Sequence, residues 1–237
     1  MQGWTFGIPT DGIHSIQYHK QIIDSIFQQN IPGFEILFIT ENRNYQLNDI
    51  SDSRVQLIYM DSNKNHHITK KKNILVQKAK YENICLIHSY IYLDKDWYAE
   101  VNKYGYDWSV GCCKTLNVDG KRSNDWLTCG LPGAPSEFMA LDYDHPATPY
   151  HYAPGNSFCV KKSFALRHPF DEQLCWGGGE DITWCRSFDI VTHMKLLGDA
   201  KFHILKMKNT FEKTEKYKDT IYWEQTHVSY IPHSGPS

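Results

Sequence analysis

The sequence predicts an α/β fold, and three observations carry that prediction. Short apolar runs of strand length alternate with segments whose apolar residues recur at helical spacing. One run, Ile84-Cys85-Leu86-Ile87, is apolar at every position, as a strand buried on both faces of a sheet requires. Turn signals follow the strand ends at Thr10-Asp11, Glu41-Asn42 and His88-Ser89-Tyr90. These turns should converge on one crevice outside the carboxyl ends of the strands, where ligands bind in such sheets.

In chain order, Trp4 to Pro9 is the first strand, closed by Pro9-Thr10-Asp11-Gly12. Ile13, Ile16, Ile22, Ile23, Ile26 and Phe27 mark a helix. Pro32-Gly33 breaks the chain before the strand Phe34 to Ile39, interrupted only by Glu35, and Val55 to Tyr59 is a third strand. Thr69 is placed to cap a helix running through Lys80, ahead of the apolar strand at 84–87. Asp94-Lys95-Asp96 has the form Asp-x-Asp, but it directly precedes a helix to about Lys103, so Asp94 reads as an N-cap. Trp108 to Lys114 is a strand. Residues 117–153, rich in Gly, Pro, Asp and Tyr, show weak periodicity over a length that suits a lid or binding loop. Phe158-Cys159-Val160 is a strand, a helix follows Glu180-Asp181, His193 falls on or just after it, and Lys201 to Leu205 is a late strand. From about residue 209 the chain is polar and aromatic without a pattern.

Composition excludes some functions. A net charge of −2 without a basic tail argues against nucleic acid as the main partner, and 41% hydrophobic residues suffice for a sizeable core. The seven cysteines are odd in number and form no Cys-x-x-Cys, which suggests reduced thiols and no zinc knuckle. No signal peptide, membrane-length apolar run or Asn-x-Ser/Thr sequon is visible, so the expected location is cytoplasmic.

The densest chemistry lies at Trp176-Gly177-Gly178-Gly179-Glu180-Asp181. Glycines supply backbone that can approach a ligand closely, and the two acids open a helix. Such a junction suits a site that takes a proton from a substrate. It also suits a tight turn whose acids complement a helix N-terminus.

The order of the motifs resembles a GT-A glycosyltransferase of the large inverting nucleotide-sugar family. The resembling pieces are Gly7 to Gly12, Lys70-Lys71-Lys72-Asn73 opening a helix, Leu86 to Leu93 with Asp96-Trp97, Pro154 to Phe158, and Trp176 to Asp181. The last piece is also similar to the Trp-Gly-Gly-Glu-Asp signature of galactosyl- and N-acetylhexosaminyl-transferases. The resemblance spans roughly residues 4–205. It implies a Rossmann-like mixed central sheet flanked by helices, in a single domain over 1–237. The nucleotide-binding half would be about 1–115 and the acceptor half about 116–237.

The resemblance implies transfer of a hexose from a UDP- or GDP-linked sugar to a glycan hydroxyl with inversion. Asp181 would be the general base, and Glu180 would hold the acceptor hydroxyl or orient the site. Thr10, Asp11 and Glu41 would lie near the nucleotide, together with Lys72, Asn73 and the turn His88-Ser89-Tyr90. Lys71, Lys72 and the helix N-terminus could meet phosphate, although a lysine run also reads as a solvated face. Trp176, Gly178, Gly179 and Asn156 would face the acceptor. Trp176, with Trp126 or Tyr152, could stack on a sugar, and core packing is the other role open to such aromatics. The family places a metal-binding Asp after the apolar strand, for Mn²⁺ or Mg²⁺, where this chain has Ser89, a poor ligand. His88 and His203 are the remaining candidate ligands, and a lone histidine at a strand end also reads as structural. The alternative function is a sugar- or nucleotide-binding relative with weak turnover. A sugar nucleotidyltransferase would carry a glycine- and basic-rich loop after the first strand, which Pro9 to Gly12 lacks.

Overall fold

The computed structural model describes residues 2–13, 16–47, 50–62, 67–123, 125–128, 139–140, 143 and 151–206. Its elements are β1 (Trp4–Pro9), α1 (Ile16–Phe27), β2 (Phe34–Thr40), β3 (Val55–Tyr59), α2 (Ile68–Lys78), β4 (Asn83–Ile87), β5 (Ile91–Leu93), α3 (Trp97–Asn102), β6 (Val110–Leu116), β7 (Leu127–Thr128), β8 (Met139–Ala140), β9 (Ser157–Lys161), α4 (Lys162–Arg167), α5 (Glu180–Cys185), α6 (Ile190–His193) and β10 (Met194–Ile204).

Ten strands form an eight-stranded sheet in the order β3-β2-β1-β4-β9-β6-β10-β5 and a small β7–β8 pair. β3, β2, β1 and β4 are parallel neighbours. β9 lies antiparallel between β4 and β6, which makes the sheet mixed. The alternation of side chains along each strand divides the core into two layers. Trp4, Phe6 and Ile8 of β1, Phe34, Ile36 and Phe38 of β2, and Cys85 and Ile87 of β4 face the layer covered by α1 and α3. Leu37 and Ile39, Ile84 and Leu86, and Phe158 and Val160 face the layer covered by α2, α4 and α5. Glu35 interrupts β2 at little cost, because its carboxylate accepts the Thr5 hydroxyl at 2.7 Å and the Lys80 amide at 2.6 Å.

Four expectations are corrected. Thr69 lies inside α2, whose N-cap residue is His67, and the Thr69 hydroxyl donates to the Leu174 carbonyl at 2.7 Å. Asp96 is the N-cap residue of α3, while Asp94 bonds His203 at 2.8 Å. The helix expected from Ile13 begins at Ile16, and both isoleucines are exposed. The late strand begins at Met194, because a register shift between Leu197 and Lys201 against β6 interrupts the alternation that marks a strand in sequence. Cys85, Cys112, Cys113, Cys159 and Cys185 are free and buried, as small apolar residues. Cys129, most of the 117–153 segment and the chain beyond 206 lie outside the described residues.

One buried group ties stability to pH. His19 on α1 is 3% exposed, with its Nδ1 bonded to the Tyr45 hydroxyl and its Nε2 3.4 Å from the Thr10 hydroxyl. Burial pushes its pKa down from 6.5 to about 4, against the opposing pull of Asp11. The unfolded chain therefore binds more protons than the folded one between those values. The stability is fully present above about pH 6.5 and is lost as the pH falls toward about 4. Urea unfolding at pH 7 and pH 5 should show about 2 kcal/mol less stability at the lower pH from this residue. His19→Gln should remove that part of the slope, and an unchanged slope would refute the assignment.

Candidate active site

The ends of β1, β2 and β4 meet through side chains that the local turns fix in place. After β1, the Thr10 hydroxyl accepts the Gly12 amide at 3.0 Å and Asp11 accepts the Ile13 amide at 2.9 Å. These are the side-chain turns that Thr and Asp form readily. After β2, Thr40 holds the Asn42 amide at 3.0 Å, and the Asn42 side chain donates to the Gly12 carbonyl at 3.0 Å. Lys71, from the first turn of α2, donates to the Thr10 carbonyl at 2.7 Å and pairs with Glu41. The β1 and β2 turns are thus locked together by one lysine that is almost wholly buried.

After β4, the His88 amide donates to the Asn156 carbonyl at 2.9 Å, joining this turn to the start of β9. The His88 ring lies 3.0 Å from the Tyr90 hydroxyl, and Ser89 is buried beside it. Lys206 stands 4.3 Å over the Tyr90 ring.

The acid pair meets the chain just before β9, at Gly155. Gly179 adopts a left-handed conformation at φ 72°, which glycine tolerates, and so turns the chain into α5 at Glu180. The Gly155 amide donates to Asp181 Oδ2 at 2.9 Å. A Cβ at position 155 would fall 3.0 Å from Asp181 Oδ2 and 3.2 Å from Glu180 Oε1. Both carboxylates therefore close on one glycine, which leaves no room for a side chain. Glu180 is 7% exposed, and Asp181 is more open. Burial raises the pKa of Glu180; nearby Lys72 opposes that rise and the charge of Asp181 adds to it. Trp184 anchors this short helix, stacked on Phe170 at 4.6 Å and tilted on Phe158 at 5.2 Å.

The other residues singled out from sequence divide between the crevice and its supports. Lys72 is 1% exposed and Lys71 is also buried, so neither belongs to a solvated face. Asn73 is fully engaged: its amide donates to the Phe170 carbonyl and to Glu172, each at 2.9 Å, and its oxygen accepts the Phe170 amide at 2.9 Å. It ties α2 to the loop that leads to the glycines. Trp176, four residues before Glu180 in sequence, is 64% exposed, whereas Trp126 and Tyr152 are core residues. Asn156 is buried, and its amide nitrogen has no partner among the described residues. Gly178 closes a turn onto the Cys175 carbonyl at 3.0 Å. Gly155, whose amide bonds Asp181, had no assigned role in the sequence beyond its place in the Pro154 to Phe158 piece.

The residues of the β4 corner do not fit a bound divalent metal. Ser89 is a weak ligand, His88 bonds Tyr90, and His203 is paired with Asp94 and stacked on Tyr92. Among the described residues no three His, Cys, Asp or Glu side chains are grouped to hold a metal.

The eight-stranded mixed sheet flanked by helices is the fold of GT-A-like glycosyltransferase structures. Among solved structures the chain is similar to the crystal structure of S. aureus TarS 1–349. The TM-score is 0.60 at 16% identity, over 86% of this chain and 60% of that one. The TarS complex with UDP-GlcNAc matches at a TM-score of 0.60 and 16% identity, over 89% and 60% of the two chains. The UDP complex matches at 0.58 and 16%, over 85% and 60%. The chain thus spans about 60% of the length of these structures. No family model matches the chain, and no curated protein matches its sequence. Among the described residues no helix is long and apolar enough to cross a membrane.

Proposed function

We propose that the chain is an inverting glycosyltransferase that moves a hexose from a UDP- or GDP-linked sugar to a glycan hydroxyl. The observation that carries this reading is the closure of Glu180 and Asp181 on Gly155 at the mouth of the strand-end crevice. A crevice at the carboxyl ends of parallel strands suits a nucleotide, and the bound UDP-GlcNAc of the TarS complex supports that choice of ligand. Thr10, Asp11 and Glu41 would border the nucleotide, with His88, Ser89 and Tyr90 nearer the diphosphate. Asp181, the more exposed acid, takes the proton of the acceptor hydroxyl as it attacks opposite the leaving group. The buried Glu180 orients that hydroxyl. Exposed Trp176 offers a flat apolar face to the acceptor ring, with Gly178, Gly179 and Asn156 beside it. No step here runs through a metal.

A thermal-shift panel of UDP- and GDP-sugars, with and without Mn²⁺, tests the reading. A cognate donor at 100 times its Kd should stabilise the fold by about 2.7 kcal/mol, a rise on the order of 5–10 °C for a chain of this size. The rise should not need Mn²⁺. If no nucleotide sugar shifts the transition and none is hydrolysed or transferred, the reading fails. Binding without hydrolysis or transfer would favour a binding protein, the reading that Ser89 in the metal-ligand position supports.

A further inference from the structure

Lys72 is a buried basic group outside the proposed chemistry. It is 1% exposed, and its side-chain nitrogen has no hydrogen-bond partner among the described residues. The Nζ atom lies 4.8 Å from the centre of the Phe170 ring and 5.7 Å from that of Phe158. These are the two rings on which Trp184 seats α5. The lysine and the acid-bearing helix therefore share one aromatic floor. The charged or titratable groups that act on Lys72 are Glu180, Asp181 and Cys185, and the first two are the carboxylates that flank Gly155. Burial alone drives a lysine toward its neutral form. The two acids oppose that drive, and the aromatic faces also favour a cation, but burial is the largest influence and the Lys72 pKa lies below its ordinary value.

We propose that Lys72 is a positioning residue for the acid pair, a buried counter-charge that favours the ionised form of Glu180 beside Asp181 and Gly155. Burial and the charge of Asp181 both disfavour that form, and Lys72 opposes them. A protonated Glu180 would lose the charge that holds the acceptor hydroxyl. This assignment moves Lys72 from the diphosphate to the acid pair. Its role in transfer rests on the proposed function; the coupling of charges does not.

The test uses the whole chain and two kinds of readout. Carboxyl carbon NMR follows Glu180 in wild type and in Lys72→Met without any substrate. The Glu180 midpoint should rise by about one pH unit or more in the variant, and Lys72→Arg should restore it. An unmoved Glu180 midpoint overturns the proposal. If Lys72→Met does not fold, the reciprocal experiment reads the Lys72 ammonium in Glu180→Gln. Its midpoint should fall, and an unmoved Lys72 overturns the proposal. In transfer assays the acid limb of the kcat/KM profile should move up in Lys72→Met and return in Lys72→Arg, with donor KM within about twofold of wild type. A tenfold loss of donor affinity with the limb in place would return Lys72 to the diphosphate and also overturn the proposal. Coupled titrations in a wild-type chain that transfers no sugar would overturn only the role in transfer, and with it the proposed function.

Discussion

Asp181→Asn should lower sugar transfer by about three orders of magnitude, the middle of the range expected when a general base is lost. Donor affinity should stay within about threefold of wild type. The separation follows from the geometry. Asparagine keeps the shape of the side chain and an oxygen for the Gly155 amide, which bonds Asp181 at 2.9 Å. Only the capacity to accept a proton is removed. Glu180→Gln should cost less, because in the proposed reaction the more buried acid orients the acceptor and does not take its proton. Single-turnover rates and donor titration check both points. A variant at position 181 with wild-type turnover would remove Asp181 from the role of base.

Trp184→Ala should destabilise the protein by about 3–5 kcal/mol, the usual cost of deleting a large buried aromatic. For a chain of this size that lowers the melting temperature by on the order of 10 °C. Trp184 is 2% exposed, donates to the His168 carbonyl at 2.6 Å, and packs on Phe158, Phe170 and Phe188. Helix α5 has only 6 residues, too few to be stable by propensity. Its place depends on this packing, so transfer should fall together with stability. Trp184→Phe should recover much of both, and calorimetry with transfer assays on the two variants measures the link. Wild-type stability in Trp184→Ala would show that α5 is held in place by something else.

The legible part of the fold was the part that local periodicity controls. β1 and β3 occupy the residues the apolar runs mark, and β2 differs by one residue. Two of the misplaced ends were those where a side chain took a distant partner. Thr69 bonds Leu174, more than a hundred residues away in sequence, and Asp94 bonds His203. Capping is a local contest, and no local signal shows that a tertiary acceptor has won it.

By itself, the sequence determined the kind of sheet, the turns at its strand ends and the acid pair after the glycine run. Hydrophobic period, turn chemistry and glycine are local properties, and short-range sterics and burial enforce them. Only the tertiary structure decided which groups meet. It set Lys71 between the Thr10 carbonyl and Glu41, Gly155 between the two carboxylates, and Lys72 on the rings that seat α5. The three consecutive lysines of α2, Lys70 to Lys72, are alike in sequence. What separates them is direction: successive residues on a helix point about 100° apart. One turn of α2 therefore sends Lys71 to the strand-end turns and Lys72 into the aromatic floor beneath the acids.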